Sequence, residues 1–377
     1  MHICILNVLH PPLDKRVFQK VAKSLAAAGH EVTSIVPSAV AIADRDGVRF
    51  LTTPVVRTLA ARTLAVLRLI RRGRRVRCDV YLAVEPESWV AALALKMVTG
   101  RKVVFDVHEP IPSEFAKFFP AATRPLVSWA TVRAMRLFAR YTDHIILTRE
   151  SLDDEFKGLR VPRTVVLNTN HLQPKCEAVP DELRIRFAGH PTLIHQGLFG
   201  DLRGSYQLLD AMKIVAREIP GIKCILLGEY VYGDETAFRD AIRAGGLEHV
   251  FEWLGVVPFE EVPAYIAVSQ VGLLLLQPDV PGHALAMPHK IFDYMREGIP
   301  VIAPDFAVEV RRIVSEADGG LLVDVTNPAV IAGAILRLLR DPTEAGRLGR
   351  NGRRIVESKY NWQHDERALL EVFAGLA

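Results

Sequence analysis

Cysteine is scarce in this chain, and its four residues, Cys4, Cys78, Cys176 and Cys224, form no CxxC pair and have no histidine at metal spacing. That excludes a disulfide framework and a thiolate metal site, and it points to a reducing cytoplasm. Long apolar runs are missing too. The longest fall well short of the roughly 18 residues a membrane span needs, so any membrane contact is expected to be peripheral, at the inner face. Residues 1–8 are apolar without a basic region ahead of them and lead into a charged helix, which reads as a strand and not as a signal peptide. No GxGxxG follows that strand, which argues against a nicotinamide enzyme. Clusters of His, Cys, Asp and Glu at metal spacing are absent, so no metal is expected. The triplet Asp44-Arg45-Asp46 imitates a DxD metal motif but lies in a polar turn and reads as a solvated loop. Charge of one sign is also in short supply. The net charge is +4, from 47 Lys and Arg against 43 Asp and Glu, so a nucleic-acid binder is not indicated. One local exception is the run Arg68, Arg71, Arg72, Arg74, Arg75 and Arg77, which suits an acidic partner or anionic lipid headgroups but reads first as a solvated helix end.

What is present is a globular composition, half hydrophobic and about a quarter charged, in 377 residues, a length that favours two domains. Apolar strand-like segments alternate with helical ones. The first half reads as 2–8, a helix at 14–28, 31–36, then 79–84, 88–98 and 102–107, a helix at 126–140, and strands at 144–148 and 164–167. Polar residues and two prolines at 171–182 interrupt the pattern as a linker would. It then restarts, with strands expected at 192–196, 223–227, 250–254, 271–276, 300–303 and 320–323. Continuous Val, Ile and Leu strands between helices specify parallel sheets covered on both faces. The expected architecture is therefore α/β, with one doubly wound domain at 1–175 and another at 176–358. The last helix, 359–377, has no strand after it and is expected to pack back on the first domain. In such sheets ligands bind beyond the carboxyl ends of the strands, so two such domains imply a cleft served by both.

Four loops at strand ends carry the polar groups. The first holds His10, Asp14 and Arg16, a proline-stiffened turn with charges at a helix start. The second holds Asp106, His108 and Glu109; a histidine there can donate to a sugar hydroxyl or move a proton, or be a satisfied structural residue. The third, Gly197 to Gly204, lets the backbone approach a phosphate that Arg203 could grip bidentately, though a plain turn with a surface arginine has the same sequence. The fourth leads into Met287-Pro288-His289-Lys290-Ile291-Phe292-Asp293-Tyr294-Met295, ahead of Arg296-Glu297-Gly298-Ile299-Pro300. Proline in a first turn costs no hydrogen bond, and the helix it opens carries Lys290 and Asp293 three residues apart on one face. A helix start with a cation and a carboxylate can take a phosphate and sugar hydroxyls together, as a sugar nucleotide requires. The plainer reading is an amphipathic helix with two solvated charges.

In order and spacing these segments resemble the GT-B retaining glycosyltransferases, in particular glycosyltransferase family 4, over nearly the whole chain. Arg16 with its helix and Gly29-His30-Glu31-Val32 look like that family's first unit, Phe105 to Glu109 like its strand-end histidine motif, Gln196-Gly197 to Arg203-Gly204 like its pyrophosphate loop, and Pro288 to Met295 like its nucleotide-sugar helix. The resemblance implies two Rossmann-like domains facing across a cleft and transfer from a nucleoside diphosphate sugar, UDP favoured, with no further cofactor. It implies that Arg203 and Lys290 neutralise the diphosphate, that Asp293 holds the ribose diol, that His108 touches the donor sugar and acts with the two cations in catalysis, and that backbone near Leu254 and Gly255 meets the base. Gly197, Ala286, Met287 and Pro288 would complete the donor side, and His10, Asp14, Arg16 and Glu109 the acceptor side. The acceptor would be a glycan, a lipid-linked compound or a small natural product. Two departures stand out: Leu285 occupies the position of the family's first glutamate, and no Arg or Lys follows Gly197. A sugar-nucleotide 2-epimerase on the same fold, or a noncatalytic nucleotide-sugar-binding subunit, remain alternatives.

Overall fold

The computed structural model describes every residue of the chain except Arg57, Glu177 and Phe259. The chain divides into two compact units, one of 1–168 with 362–377 and the other of 169–361. Unit 1 is built on seven parallel strands in the order β3-β2-β1-β4-β5-β6-β7. They are β1 (His2–Leu6), β2 (Glu31–Pro37), β3 (Val48–Thr53), β4 (Val80–Ala83), β5 (Lys102–Val107), β6 (His144–Leu147) and β7 (Arg163–Val165). Almost every residue of β1, β2, β4 and β5 is buried, as strands covered on both faces must be. Helices Leu59–Gly73 and Pro86–Thr99 cover one face around Trp89, Leu69 and Leu95. The helical segment after Arg16 and the final helix, Trp362–Ala374, cover the other through Phe18, Leu25, Trp362, Leu369 and Phe373.

β3 has no counterpart in the sequence reading. Of its residues Val-Arg-Phe-Leu-Thr-Thr only Val48, Phe50 and Thr53 are fully buried, which suits the edge it occupies. The helix read across 14–28 is not uniform either, because a π-helical stretch, Val17–Ala22, precedes the α-helical Lys23–Ala27.

Unit 2 carries six parallel strands in the order β12-β10-β8-β13-β14-β15. Their bounds are β8 (Thr192–Gln196), β10 (Lys223–Leu227), β12 (Phe251–Gly255), β13 (Val271–Leu273), β14 (Val301–Pro304) and β15 (Gly320–Val323); β9 (Phe199–Gly200) and β11 (Tyr230–Tyr232) form a small pair of their own. Leu193, Leu208, Met212, Phe238, Leu273 and Ile335 belong to its core. In both sheets the order reverses beside the first strand of the unit, between β1 and β4 and between β8 and β13. At such a reversal the loops at the carboxyl ends diverge and leave a crevice.

Candidate functional site

In unit 2 the loop after β8 meets the start of the helix Lys290–Glu297. That helix begins two residues later than its proline suggests: His289 is the N-cap and Pro288 lies ahead of it. Lys290 and Asp293 nevertheless share its first turn. Lys290 Nζ donates to Nε2 of His195 at 3.2 Å, and the lysine reaches within 3.8 Å of the place where a side chain on Gly197 would stand. Burial, reinforced by Arg203, brings the Lys290 pKa down to about 7. His195 is 1% exposed and stays neutral, because burial and the two cations push its pKa far down. Its Nδ1 has no hydrogen-bond partner. Arg203 ends a short 3-10 turn, Asp201–Arg203, two residues before the helix Ser205–Glu218 and not within it. Its guanidinium lies 5.6 Å over the Tyr232 ring, and its buried Nε is without a partner. Two cations and an unpartnered donor crowded into so little volume repel one another, and an anion would relieve them.

Beside this cluster lies a cavity of about 370 Å³ lined by Gln196, Gly197, Leu198, Leu227, Gly228, Glu229, Val256, Val257 and Val262. Two backbone segments of its lining, at Gly197 and Gly228, are in close contact. A Cβ on Gly228, at φ +136°, would fall 2.2 Å from the Gly197 carbonyl oxygen, so only glycine fits there. Leu254 and Gly255, expected at the base, do not line the cavity, because the Gly255 carbonyl is taken by the Gly228 N-H at 2.7 Å and the next residues supply the wall. Ala286, Met287 and Pro288 are half-buried in the segment ahead of the Lys290 helix.

Asp293 is more enclosed than a ribose contact suggests. It is 6% exposed; Gln196 Nε2 donates to it at 2.9 Å, Asn170 Nδ2 at 3.4 Å, and Arg296 stands 3.6 Å away. Burial pushes its pKa up, countered in part by Arg296 and Gln196. A carboxylate has about four lone-pair sites, so acceptor capacity remains, but little surface does. His195 and Asn170 were not singled out from the sequence, and Gln196 was named only as the start of the loop that resembles a pyrophosphate loop. The signal was present for His195 and Gln196, since a His-Gln pair closing a buried apolar strand is the same cue that marks Asp106 and His108.

In unit 1 the loops after β1, β4 and β5 hold a second polar cluster. The buried Glu85 accepts from the backbone N-H groups of Val8, Leu9 and His10 at 3.1, 2.8 and 3.3 Å, which fixes the loop that carries His10. The rings of His10 and His108 are 5.0 Å apart, and burial followed by the neighbouring His108 lowers the His10 pKa. His108 Nε2 bonds Asp106 Oδ2 at 2.9 Å. Burial opposes ionisation of Asp106, but Arg16 and His108 outweigh it and hold the carboxyl well below its usual range. Arg16, expected to face an acceptor, is only 4% exposed and is spent on a bidentate grip of Asp106 at 2.9 and 2.7 Å. Asp14 likewise serves the backbone, its Oδ1 accepting from the N-H groups of Arg16 and Val17 at 2.8 Å each. Glu109 is the open member, 66% exposed and paired with Arg149 at 3.0 Å. Among the described residues no group of three or more His, Cys, Asp or Glu is placed to hold a metal ion, and no helix is long and apolar enough to cross a membrane.

Residues 190–341 match the glycosyl transferases group 1 family model, and residues 15–170 match the glycosyl transferase 4-like domain. The chain is similar to spore coat protein SA of Bacillus subtilis, 26% identical over 54% of each chain. It is 23% identical to alpha-D-kanosaminyltransferase of Streptomyces kanamyceticus over 79% of this chain and 78% of that one. The chain spans about half the length of several of the relatives it matches, spore coat protein SA included. HepE of Anabaena, solved in complex with UDP, superposes over all of both chains with a TM-score of 0.75 at 16% identity. A glycosyltransferase of Rickettsia africae does so at 0.75 and 12%, covering 98% of that chain. With one glycosyltransferase model on each unit and one shared fold over the whole, the chain carries the two domains of a glycosyltransferase of the family 4, GT-B type.

Proposed function

We propose that this chain is a retaining, metal-independent glycosyltransferase that moves a sugar from a nucleoside diphosphate, UDP favoured, to an acceptor hydroxyl. The observation that carries this reading is the meeting of Arg203, Lys290 and Gly197 beside a cavity of about 370 Å³. The diphosphate would lie against the two cations and the base in the cavity. UDP and UDP-glucose complexes of HepE support the choice of nucleotide. In the reaction the bond from the anomeric carbon to the diphosphate oxygen breaks, and a bond to the acceptor oxygen forms on the same face. The acceptor proton passes to a donor phosphate oxygen, and the diphosphate leaves. Negative charge grows on that diphosphate, so fixed cations there lower the barrier more than they tighten the ground state. His108, oriented by Asp106, would donate to a hydroxyl of the transferred sugar, and Asp293 would take the ribose once it turns a lone pair outward.

Arg203→Ala tests the reading. A hydrogen bond to a charged group is worth about 1.5 to 3 kcal/mol, and about 1.4 kcal/mol is tenfold, so UDP affinity should fall roughly ten- to a hundredfold with the fold intact. Unchanged affinity would take the loop out of the site. Incubation with donor alone separates transfer from epimerisation, because an epimerised sugar nucleotide forms only in the second case.

A further inference from the structure

Unit 1 holds an apolar groove that the transfer chemistry above leaves unused. Its volume is about 650 Å³, within the roughly 300 to 1,000 Å³ of small-molecule sites. Helices Leu59–Gly73, Pro86–Thr99 and Ile111–Ala116 wall it with Leu67, Val90, Ile111, Phe115 and, just beyond the last helix, Phe118. Phe118 is 64% exposed, Leu67 60% and Val90 40%. Large side chains clustered this way cost solubility and are retained where something covers them. The groove is continuous with the polar cluster. Leu9, one residue before His10, and Glu109, one residue after His108, both line it. Its polar rim is the Arg62–Glu87 pair at 3.2 Å, with the Arg62 guanidinium 5.7 Å over the Phe118 ring.

We propose that this groove seats the body of the acceptor, and that the acceptor is a compact hydrophobic hydroxy compound, an aglycone and not a free sugar. The proposal rests on the transfer reading. An apolar body there leaves a hydroxyl of the same molecule beside His10 and His108. A lipid drawn from a bilayer fits less well, for a geometric reason. Arg72, Arg75 and Arg77, three of the six arginines suited to anionic headgroups, line a different cavity with His2 and Glu31, at the amino ends of β1 and β2. Along the helix Leu59–Gly73 the groove's Leu67 and the other cavity's Arg72 are five residues apart, roughly 8 Å, and the two cavities share no lining residue.

The test is calorimetric titration of the full chain, without donor, using methyl, butyl, hexyl and octyl β-glucopyranoside below their micelle concentrations. The sugar is constant, so the series reads the apolar part alone. Each added methylene should tighten binding by up to about fourfold until the groove is full. Val90→Asp, and independently Leu67→Asp, should flatten the series while UDP binds as in the wild type; both positions are exposed enough to accept the change. Equal affinity for the methyl and octyl compounds, or an unchanged gradient in both variants, overturns the proposal. So does octyl binding that appears only on anionic vesicles, which would assign the surface to a membrane. A gradient in a protein that does not bind UDP keeps the groove as an apolar site and removes the transfer reading instead.

Discussion

Lys290 is the residue whose chemistry depends most on its surroundings. Its pKa falls to about 7 because burial and Arg203 both oppose the charged form. Between that value and the ordinary lysine range the folded protein holds fewer protons than the unfolded chain, so this group costs stability fully below pH 7 and progressively less above it. A bound diphosphate would restore the charge. UDP binding at pH 8 should therefore take up nearly one proton per site, read as different heats in buffers of different ionisation enthalpy. Lys290→Arg, charged throughout, should abolish the uptake; identical heats for the wild type would refute the linkage. Asp293 is a second case. Asp293→Ala leaves the Gln196 amide without its acceptor and takes from Arg296 an ion pair at 3.6 Å, Arg296 keeping Glu297 at 3.0 Å, and should cost about 1 to 3 kcal/mol in urea unfolding, with Asp293→Asn costing less. An alanine variant as stable as the wild type would mean the carboxylate has no structural role and serves a ligand alone.

Among the elements, the final helix shows how distant sequence completes a unit. Trp362 is fully buried in the core cluster that holds Ile3, Ile5, Phe18 and Leu25, and its Nε1-H donates to Ser24 Oγ at 3.1 Å. Trp362→Ala should lower stability by about 3 to 5 kcal/mol, measured by denaturant midpoint, because the cavity lies under a sheet that cannot collapse into it. A change below about 1 kcal/mol would show the helix to be dispensable. Strands such as Lys223–Leu227 and Val301–Pro304 were legible in the sequence since fully buried parallel strands are nearly unbroken apolar runs. β3 was not, because an edge strand is covered incompletely and carries polar residues, here Arg49, Thr52 and Thr53, among its apolar ones. The start of the Lys290 helix was misplaced because proline marks a helix start only to within a turn, and here His289 takes the cap.

For the whole molecule the reading makes charge neutralisation the work of Arg203 and Lys290. Turnover should accordingly survive EDTA; complete loss, restored by manganese or magnesium, would end the metal-free scheme. The sequence by itself determined the parallel α/β class, most strands, and the polar segments beyond them where Arg203, Lys290 and His108 stand, because burial and turn chemistry are local and leave periodic traces. Only the tertiary structure decided what those loops meet. Gln196 and Asp293 are 97 residues apart in the chain, Asn170 and Asp293 are 123 apart, and Arg16 lies 90 from the Asp106 that occupies it. Their encounters follow from the strand order, β13 settling beside β8 and β5 beside β4, which long-range packing selects and which no local pattern of residues encodes.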